Sequence, residues 1–164
     1  MRYNMIIRLA TIEDLNEITE VEALCFPQAE AATKETFRKR LEVFPNHFWL
    51  LIDKGRIVSI VNGMTTNLPK LKDEMFEDAT MHDENGAWQM IFGVETIPEY
   101  RRQGCMERLL KHVIEEVRSQ GRKGLVLTCK EGLVPYYEKL GFVNEGKSES
   151  THGGAVWFDM RLSF

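Results

Sequence analysis

Residues 88–119 place three patterns in direct succession: an apolar run, a basic turn that contains glycine, and a stretch of strong helical period. The apolar run from Trp88 to Thr96 predicts a buried strand. From Met106 onward, apolar residues recur every three or four positions and charged residues occupy the opposite face, which predicts an amphipathic helix that stops at Gly121. The segment therefore predicts a strand, a turn and a helix in that order.

The rest of the chain also alternates strand and helix patterns, without a repeat, a low-complexity tract or a linker. Thr11 and Asp14 have the spacing of a capping box ahead of a first helix, and Thr33 can cap a second helix that ends at Pro45. Asp53-Lys54-Gly55 has hairpin-turn chemistry between two apolar runs. Further strands are predicted at 5–9, 124–128, 142–148 and 156–162, and a short helix at 134–140. Together these elements predict an α+β fold with one mostly antiparallel sheet.

The chain length and one polar segment add two expectations. The 164 residues fit one domain, 1–164, because domains usually run to about 100 to 200 residues. The stretch from Thr66 to Gly86 is polar and irregular, with a short helix pattern around Leu71 to Phe76. A loop of this length in a small domain is usually functional or mobile. We therefore expect this segment to be a lid.

Composition excludes several classes of function. No apolar run approaches the roughly 18 residues that span a bilayer, and the first residues lack the features of a signal peptide, so we expect a cytoplasmic protein without a membrane partner. The formal net charge of -4 offers no global field for nucleic acid. Cys25, Cys105 and Cys129 are odd in number and far apart, which favours buried thiols over a metal or redox site. We expect no metal and a small or locally recognised partner.

The turn between the strand and the amphipathic helix suits a phosphate group. The first amides of a helix lack intrahelical partners and carry the positive end of the helix dipole. Gly104 lets the backbone approach an anion closely, and Arg101 and Arg102 add positive charge. The alternative is that Arg101 and Arg102 are solvent-exposed surface residues and that Gly104 only allows the chain to turn. The phosphate interpretation therefore depends on the flanking strand and helix.

Two motifs resemble the GNAT superfamily of N-acetyltransferases. The turn Arg101-Arg102-Gln103-Gly104-Cys105-Met106 resembles the family's coenzyme A pyrophosphate loop, Arg/Gln-x-x-Gly-x-Gly/Ala, with Met106 in place of the small residue. The stretch LVPYYEKLGF, from Leu133 to Phe142, resembles the family's C-terminal motif. Together with Cys25-Phe26-Pro27, it is similar to the arylalkylamine N-acetyltransferase-like branch.

The resemblance covers nearly the whole chain and implies a fold and an activity. The fold would be the GNAT acyl-CoA N-acyltransferase fold, a mixed sheet flanked by helices, in a monomer or homodimer. The activity would be direct transfer of acetyl from acetyl-CoA to a primary amine in a ternary complex. A protein or peptide N-acetyltransferase, and an acyl-CoA-binding regulatory module with little turnover, are the alternatives.

The resemblance also implies roles for individual residues. Tyr137 aligns with a tyrosine that protonates the leaving thiolate, a role that a phenol of pKa near 10 can fill. A backbone amide near Val94, where the strand is expected to splay and pantetheine to add like an extra strand, would bind the oxyanion. The residues expected to bind coenzyme A are Val94, Glu95, Thr96, Arg101, Arg102, Gln103, Gly104, Cys105 and Met106.

The base that deprotonates the amine stays open. The histidines of the arylalkylamine branch would fall near Met90 and Phe92, which cannot accept a proton. We expect His152 to lie over the pocket and count it as catalytic, because Gly153 and Gly154 permit unusual backbone shapes beside it. A solvent-exposed loop histidine is the alternative. The candidates for the base are His152, Glu95, His82, Asp83 and a chain of waters.

The acceptor pocket is expected to be apolar, with acidic groups that attract a cation. The predicted apolar lining is Phe26, Pro27, Met64, Phe92 and Trp157. The predicted acids are Glu22, Glu30 and Asp83. Such a pocket suits a small arylalkylamine or a polyamine-like acceptor.

Overall fold

The computed structural model describes residues 4–164. The helices are α1 Leu15–Cys25, α2 Lys34–Val43, α3 Asp73–Glu77, α4 Cys105–Ser119 and α5 Val134–Lys139. The strands are β1 Met5–Leu9, β2 Phe48–Asp53, β3 Arg56–Asn62, β4 Thr65–Thr66, β5 Trp88–Ile91, β6 Gly93–Thr96, β7 Gly124–Cys129, β8 Val143–Lys147 and β9 Phe158–Ser163. Across residues 4–164, no helix is long and apolar enough to cross a bilayer.

The local signals in the sequence account for several element boundaries. Asp14 accepts the Thr11 N–H at 2.8 Å and completes the predicted capping box. Thr33 Oγ1 accepts the Thr36 N–H at 3.2 Å at the start of α2. The turn between β2 and β3 has positive φ at Lys54 and at the following glycine, as a tight hairpin turn requires. These predictions are confirmed.

The strands form two sheets, and residues 88–96 contribute one strand to each of them. The first has the order β1-β2-β3-β6 and is antiparallel throughout, and the second has the order β4-β5-β7-β9-β8, with β5 and β7 parallel. β5 and β6 are the two halves of the predicted strand 88–96, separated at Phe92. The expected α+β architecture is confirmed, but a single sheet is wrong, because β6 follows β3 and leaves the sheet that contains β5.

The core lies where α4 packs on the strands. Leu109, Leu110, Val113 and Val117 of α4 are fully buried, as the helical period predicts, and the helix contacts β2, β3, β6 and β7. A second apolar cluster, which includes Met75 of α3, lies beside it. The helix thus directs its first turn toward the point where the two sheets separate.

Candidate active site

The run of residues 88–96 turns away from β7 halfway along its length. Phe92 N–H donates to the Asn62 carbonyl at 2.7 Å, one residue out of the Gly93-to-Asn62 register of β6 and β3, which is the pattern of a β-bulge. β5 pairs with β7 as far as Leu127, and beyond the bulge β6 continues along β3. A gap therefore opens between β6 and the end of β7.

The backbone of β6 presents alternate residues to this gap. Ile97 N–H donates to the Val58 carbonyl at 3.0 Å, and hydrogen-bonded pairs alternate along an antiparallel ladder. The backbone groups of Glu95 therefore face β3, whereas those of Val94 and Thr96 face the gap. The structure has the splay that was expected around Val94.

A groove of about 330 Å³ leads from the gap to the first turn of α4. Gly104 caps that helix at φ +80°, and Arg102 has φ +61°. Arg101 Nε donates to the Thr96 carbonyl at 2.9 Å, which holds this guanidinium against β6. The start of a 15-residue helix beside two arginines favours an anionic group. The expected coenzyme A residues that line the groove are Val94, Thr96, Arg101, Arg102, Gly104, Cys105 and Met106.

Two residues expected to bind coenzyme A do not line the groove. The Glu95 side chain points to the other face of β6, because successive side chains on a strand alternate, and its backbone pairs with β3. Gln103 is exposed, and its Nε2 donates to the Glu99 carbonyl at 2.8 Å. The expectation is therefore corrected for both side chains.

A cavity of about 340 Å³ lies on the other side of the gap. The loop after α1 contributes Phe26 and Pro27, the bulge contributes Phe92, and Trp157 comes from the segment before β9. These four predicted residues therefore line the same cavity, and three of them are aromatic. Met64 does not line the cavity. It is 0% exposed and packs in the second apolar cluster, so its prediction as a pocket residue is wrong.

Tyr137 lies where the groove and the cavity meet. Tyr137, Val94 and Leu133 border both spaces, whereas Tyr136 borders the groove. Tyr137 is 4% exposed, and burial raises the pKa of its phenol above the usual range, so the phenol stays protonated at neutral pH. Its ring packs edge-on against Tyr136 at 5.2 Å and Phe142 at 5.7 Å between centroids.

Segments from two parts of the chain cover the cavity. Asp73, at the start of α3, accepts hydrogen bonds from the Ser150 hydroxyl and from the Thr151 N–H. Phe76 of α3 stacks on the His152 ring at 4.9 Å between centroids. The predicted lid segment thus supplies α3 to a cover that also includes the loop around residue 152.

His152 forms part of the cavity wall, as expected from the sequence. Its Nε2 lies 2.9 Å from the Glu30 carbonyl, which can only accept, so Nε2 donates. In the neutral ring the lone pair is then on Nδ1. Glu30 also borders the cavity, and its carboxylate pairs with Lys130 at 2.7 Å. The other loop candidates, His82 and Asp83, do not line the cavity.

Three buried charged residues stand together at one side of the cavity, and we call Glu22, Arg40 and Glu95 the charged cluster. They are 6%, 4% and 3% exposed. Glu22 and Arg40 line the cavity, and Glu95 lies behind them. Glu22 Oε2 accepts the Ala32 N–H at 2.8 Å. Arg40 Nη1 donates to Asn62 Oδ1 at 3.0 Å.

The ionisation of the charged cluster follows from its burial. Desolvation lowers the pKa of Arg40 to about 10, so the guanidinium stays charged at neutral pH. Desolvation also raises the pKa of Glu95 well above its usual range, and the neighbouring Glu22 carboxyl raises it further. Arg40 was missed from the sequence, although it follows Phe37 by three positions and precedes Phe44 by four, which places it on the inner face of α2.

His47, His82 and Glu84 form a separate cluster, whose potential ligand atoms lie within 4.8 Å of one another. The Thr65 N–H donates to His82 Nδ1 at 3.1 Å, so the proton of the neutral His82 ring is on Nε2, which faces Glu84 at 2.9 Å. A metal at that nitrogen would require the proton to move to Nδ1, against the Thr65 donor. The geometry favours a hydrogen-bonded cluster over a metal centre.

Cys129 also borders the cavity. Burial raises the pKa of its thiol to about 11. A thiol of this pKa is protonated at neutral pH and is a poor nucleophile. The arrangement therefore favours direct reaction between two bound molecules over a covalent intermediate on this residue.

Comparisons with known proteins extend over most of the chain. The acetyltransferase (GNAT) domain family matches residues 6–143. Serotonin N-acetyltransferase of Mesocricetus auratus is 25% identical over 160 residues, which cover 95% of this chain and 76% of that protein.

Two solved structures share the fold at low identity. The GphF GNAT-like decarboxylase in complex with isobutyryl-CoA has a TM-score of 0.80 at 20% identity, covering 96% of this chain and 98% of that chain. The ribosomal-protein-S18-alanine N-acetyltransferase of Escherichia coli has a TM-score of 0.73 at 19% identity, covering 97% and 93%. The names of these similar proteins differ in acceptor and in reaction.

Proposed function

This chain belongs to the GNAT acetyltransferase family, and we propose that it transfers acetyl from acetyl-CoA to the primary amine of a small molecule. The observation that carries the proposal is the meeting of the groove and the cavity at Val94, Leu133 and Tyr137. A thioester that enters from the groove and an amine held in the cavity would meet at this junction. Their proximity would replace a bimolecular encounter by a reaction within one complex.

The groove supplies the features that a coenzyme A thioester requires. The amides at the start of α4 and the guanidinium groups of Arg101 and Arg102 would hold the pyrophosphate. The edge of β6, with the backbone groups of Val94 and Thr96 facing the gap, would hold the pantetheine as an added strand. The GNAT-like decarboxylase with bound isobutyryl-CoA supports acyl-CoA binding by this fold.

The residues at the junction suit acyl transfer. The Val94 N–H donates to the carbonyl oxygen as negative charge develops on it. Tyr137 donates its proton to the leaving sulfur and recovers a proton from the nitrogen that has attacked. His152 contacts the acceptor from the cavity wall. The products are the amide, the thiol of coenzyme A and one proton, which comes from the original ammonium group.

The cavity favours a small arylalkylamine or a polyamine-like acceptor. Aromatic walls suit an aryl group, and the buried carboxyl of Glu22 suits an ammonium group. The similarity to serotonin N-acetyltransferase supports the same class. The cover made by Asp73, Phe76 and His152 favours a small molecule over a peptide chain, which would need an open groove.

Thiol release from acetyl-CoA over a panel of arylalkylamines, polyamines, amino acids and short peptides tests the proposal. We expect release with an arylalkylamine or a polyamine. Release with peptides alone would favour a protein N-acetyltransferase. Binding of acetyl-CoA without release from any amine would favour an acyl-CoA-binding module.

A further inference from the structure

The charged cluster contains most of the unpartnered polar atoms found among buried side chains of residues 4–164. These atoms are Arg40 Nε, both carboxyl oxygens of Glu95 and the Tyr136 hydroxyl. Three of the four therefore belong to the cluster at one side of the cavity. Burying polar atoms without a partner is costly, and such atoms are usually paired by a ligand or by water. Arg40 Nε is a donor and the Glu95 oxygens are acceptors, and Glu22 is the carboxyl of the cluster that lines the cavity and can meet a cationic ligand there.

Two carboxyl groups in contact and shielded from water hold one proton between them, because two adjacent charges of the same sign repel strongly there. The Arg40 guanidinium carries the charge that stabilises one carboxylate. Glu22 is the better site for that carboxylate, because it accepts the Ala32 N–H at 2.8 Å and faces the cavity. Glu95 has no donor within residues 4–164 and keeps the proton.

We propose that Glu22 and Glu95 act as one carboxyl pair that binds the ammonium group of the acceptor and accepts its proton before attack. This inference rests on the proposed function and names the base for that reaction. Glu22 first accepts a hydrogen bond from the ammonium group and then takes one proton, directly or through one water. The amine is then neutral, both carboxyls are protonated, and the nitrogen lone pair attacks the thioester carbon.

Burial makes this proton transfer feasible. In water, an alkylammonium has a pKa near 10.4 and a glutamic acid one near 4.3. Desolvation lowers the pKa of an ammonium group inside the cavity, so the group gives up its proton more readily there than in water. After attack, Tyr137 donates its proton to the leaving sulfur and takes the remaining extra proton from the nitrogen. The proton on Glu22 returns to solvent when the product leaves.

Comparing two acceptor substrates of nearly equal shape distinguishes a role of the carboxyl pair as the base from a purely structural role. Phenethylamine is protonated at pH 7, whereas its isostere O-benzylhydroxylamine is neutral there and needs no base to expose its lone pair. With phenethylamine, we expect Glu22→Gln to lower kcat/KM by about 100-fold, the lower end of the range for general base catalysis. Glu95→Gln should lower it by only about 10-fold, because Glu95 acts through Glu22. With O-benzylhydroxylamine, the loss in Glu22→Gln should be below about fivefold. The loss with phenethylamine should shrink as the pH rises toward 9.

Glu20→Gln is the matched control, because Glu20 is an exposed acid on α1, the helix that carries Glu22, and it lines neither the cavity nor the groove. Its kcat/KM for both acceptors should equal that of the wild type. The Kd for acetyl-CoA, measured by calorimetry, should be unchanged in all three variants, which verifies that the groove and the fold are intact. If Glu22→Gln fails this check, Glu22→Asp tests the base by position instead: the carboxylate stays but is moved back, so kcat/KM for phenethylamine should fall more than kcat/KM for O-benzylhydroxylamine.

Three outcomes would overturn the inference while leaving the proposed function in place. Equal losses on both acceptors would indicate a structural role for Glu22. Full activity of Glu22→Gln would exclude it as the base. A selective loss with phenethylamine in His152→Gln, and not in Glu22→Gln, would assign the proton to His152. If the wild type acetylates neither of these acceptors and no polyamine, the proposed acceptor class fails and the role of the pair fails with it.

Discussion

Val94 of β6 and Tyr137 of α5 border the same two spaces, the groove that leads to the start of α4 and the cavity that α3 covers. One contributes a backbone amide on an edge that no longer pairs with β7, and the other contributes a buried phenol. An amide and a phenol at one junction can act on the oxygen and on the sulfur of the same thioester. The β-bulge at Phe92 is the local feature that makes this possible.

Replacement of Tyr137 by Phe tests the sulfur side of the junction. We expect kcat to fall by about 10- to 100-fold, because the leaving thiolate loses its proton donor. The Kd for acetyl-CoA should stay within about twofold, since the ring and its packing remain. Thiol-release kinetics and calorimetry measure the two quantities. An unchanged kcat would remove Tyr137 from the chemistry and leave the ring as a packing element.

The strands and helices followed from the sequence wherever a local signal determines them. The capping box at Thr11, the Thr33 cap and the turn at Lys54 each depend on neighbouring residues. The separation of the two sheets did not follow, because an apolar run such as 88–96 does not reveal which strand its second half will pair with. A long-range hydrogen bond from Phe92 to Asn62 decides that.

The candidate site was also predicted only in part from the sequence. The loop of Arg101 and Gly104 has a recognisable order of residues, and most of it lines the groove. Met64 was wrongly assigned to the pocket because the sequence does not distinguish an apolar residue that packs in a core from one that lines a cavity. Glu22 was predicted as a pocket acid and Glu95 as a candidate base, but Arg40 and the contact among the three were missed, because these residues meet only after α1 and α2 pack beside β6.

Gly104→Ala tests the turn that begins α4. Gly104 has φ +80°, which costs a non-glycine residue about 1–2 kcal/mol, and no neighbouring atom would contact the added methyl group. We therefore expect the free energy of unfolding to fall by about that amount and the affinity for acetyl-CoA to weaken, as the amides of the first turn shift. Urea unfolding and calorimetry measure both effects.

Gly132→Ala is the control for Gly104→Ala, because Gly132 also has open space around it and does not have a positive φ. It should leave both the stability and the affinity near the wild-type values. Equal effects of the two substitutions would show that the backbone conformation of Gly104 is not what the turn depends on.

Glu95→Gln tests the protonation of the charged cluster through stability. The pKa of Glu95 is raised in the folded state, so its favourable contribution is complete below about pH 4, near its unfolded pKa, and is lost as the pH rises through the folded pKa. Glutamine cannot ionise and avoids this loss. We expect the Tm of Glu95→Gln to exceed that of the wild type at pH 8 by about 2–8 °C, with a smaller difference at pH 5. A Tm difference that is constant or shrinks with rising pH would contradict a buried, protonated Glu95.

Asp73→Ala tests the cover of the cavity and, with it, the preference for small acceptors. The substitution removes the hydrogen bonds that Asp73 accepts from the Ser150 hydroxyl and the Thr151 N–H. Since these bonds join α3 to the loop that carries His152, we expect the KM for a small arylalkylamine to rise by about 3- to 10-fold, as two hydrogen bonds to a carboxylate are lost from the closed form. Activity toward a short peptide should rise at the same time, because the cavity is then open to a longer chain.

Glu74→Ala is the control for the cover, because Glu74 is an exposed acid on the same helix, and its side chain makes no hydrogen bond or ion pair with residues 4–164. It should leave both substrates unaffected. The ratio of kcat/KM for the amine to that for the peptide, measured in both variants, decides the question. If Asp73→Ala leaves this ratio unchanged, the contacts of Asp73 do not select the acceptor, and the size of the cavity alone would have to do so.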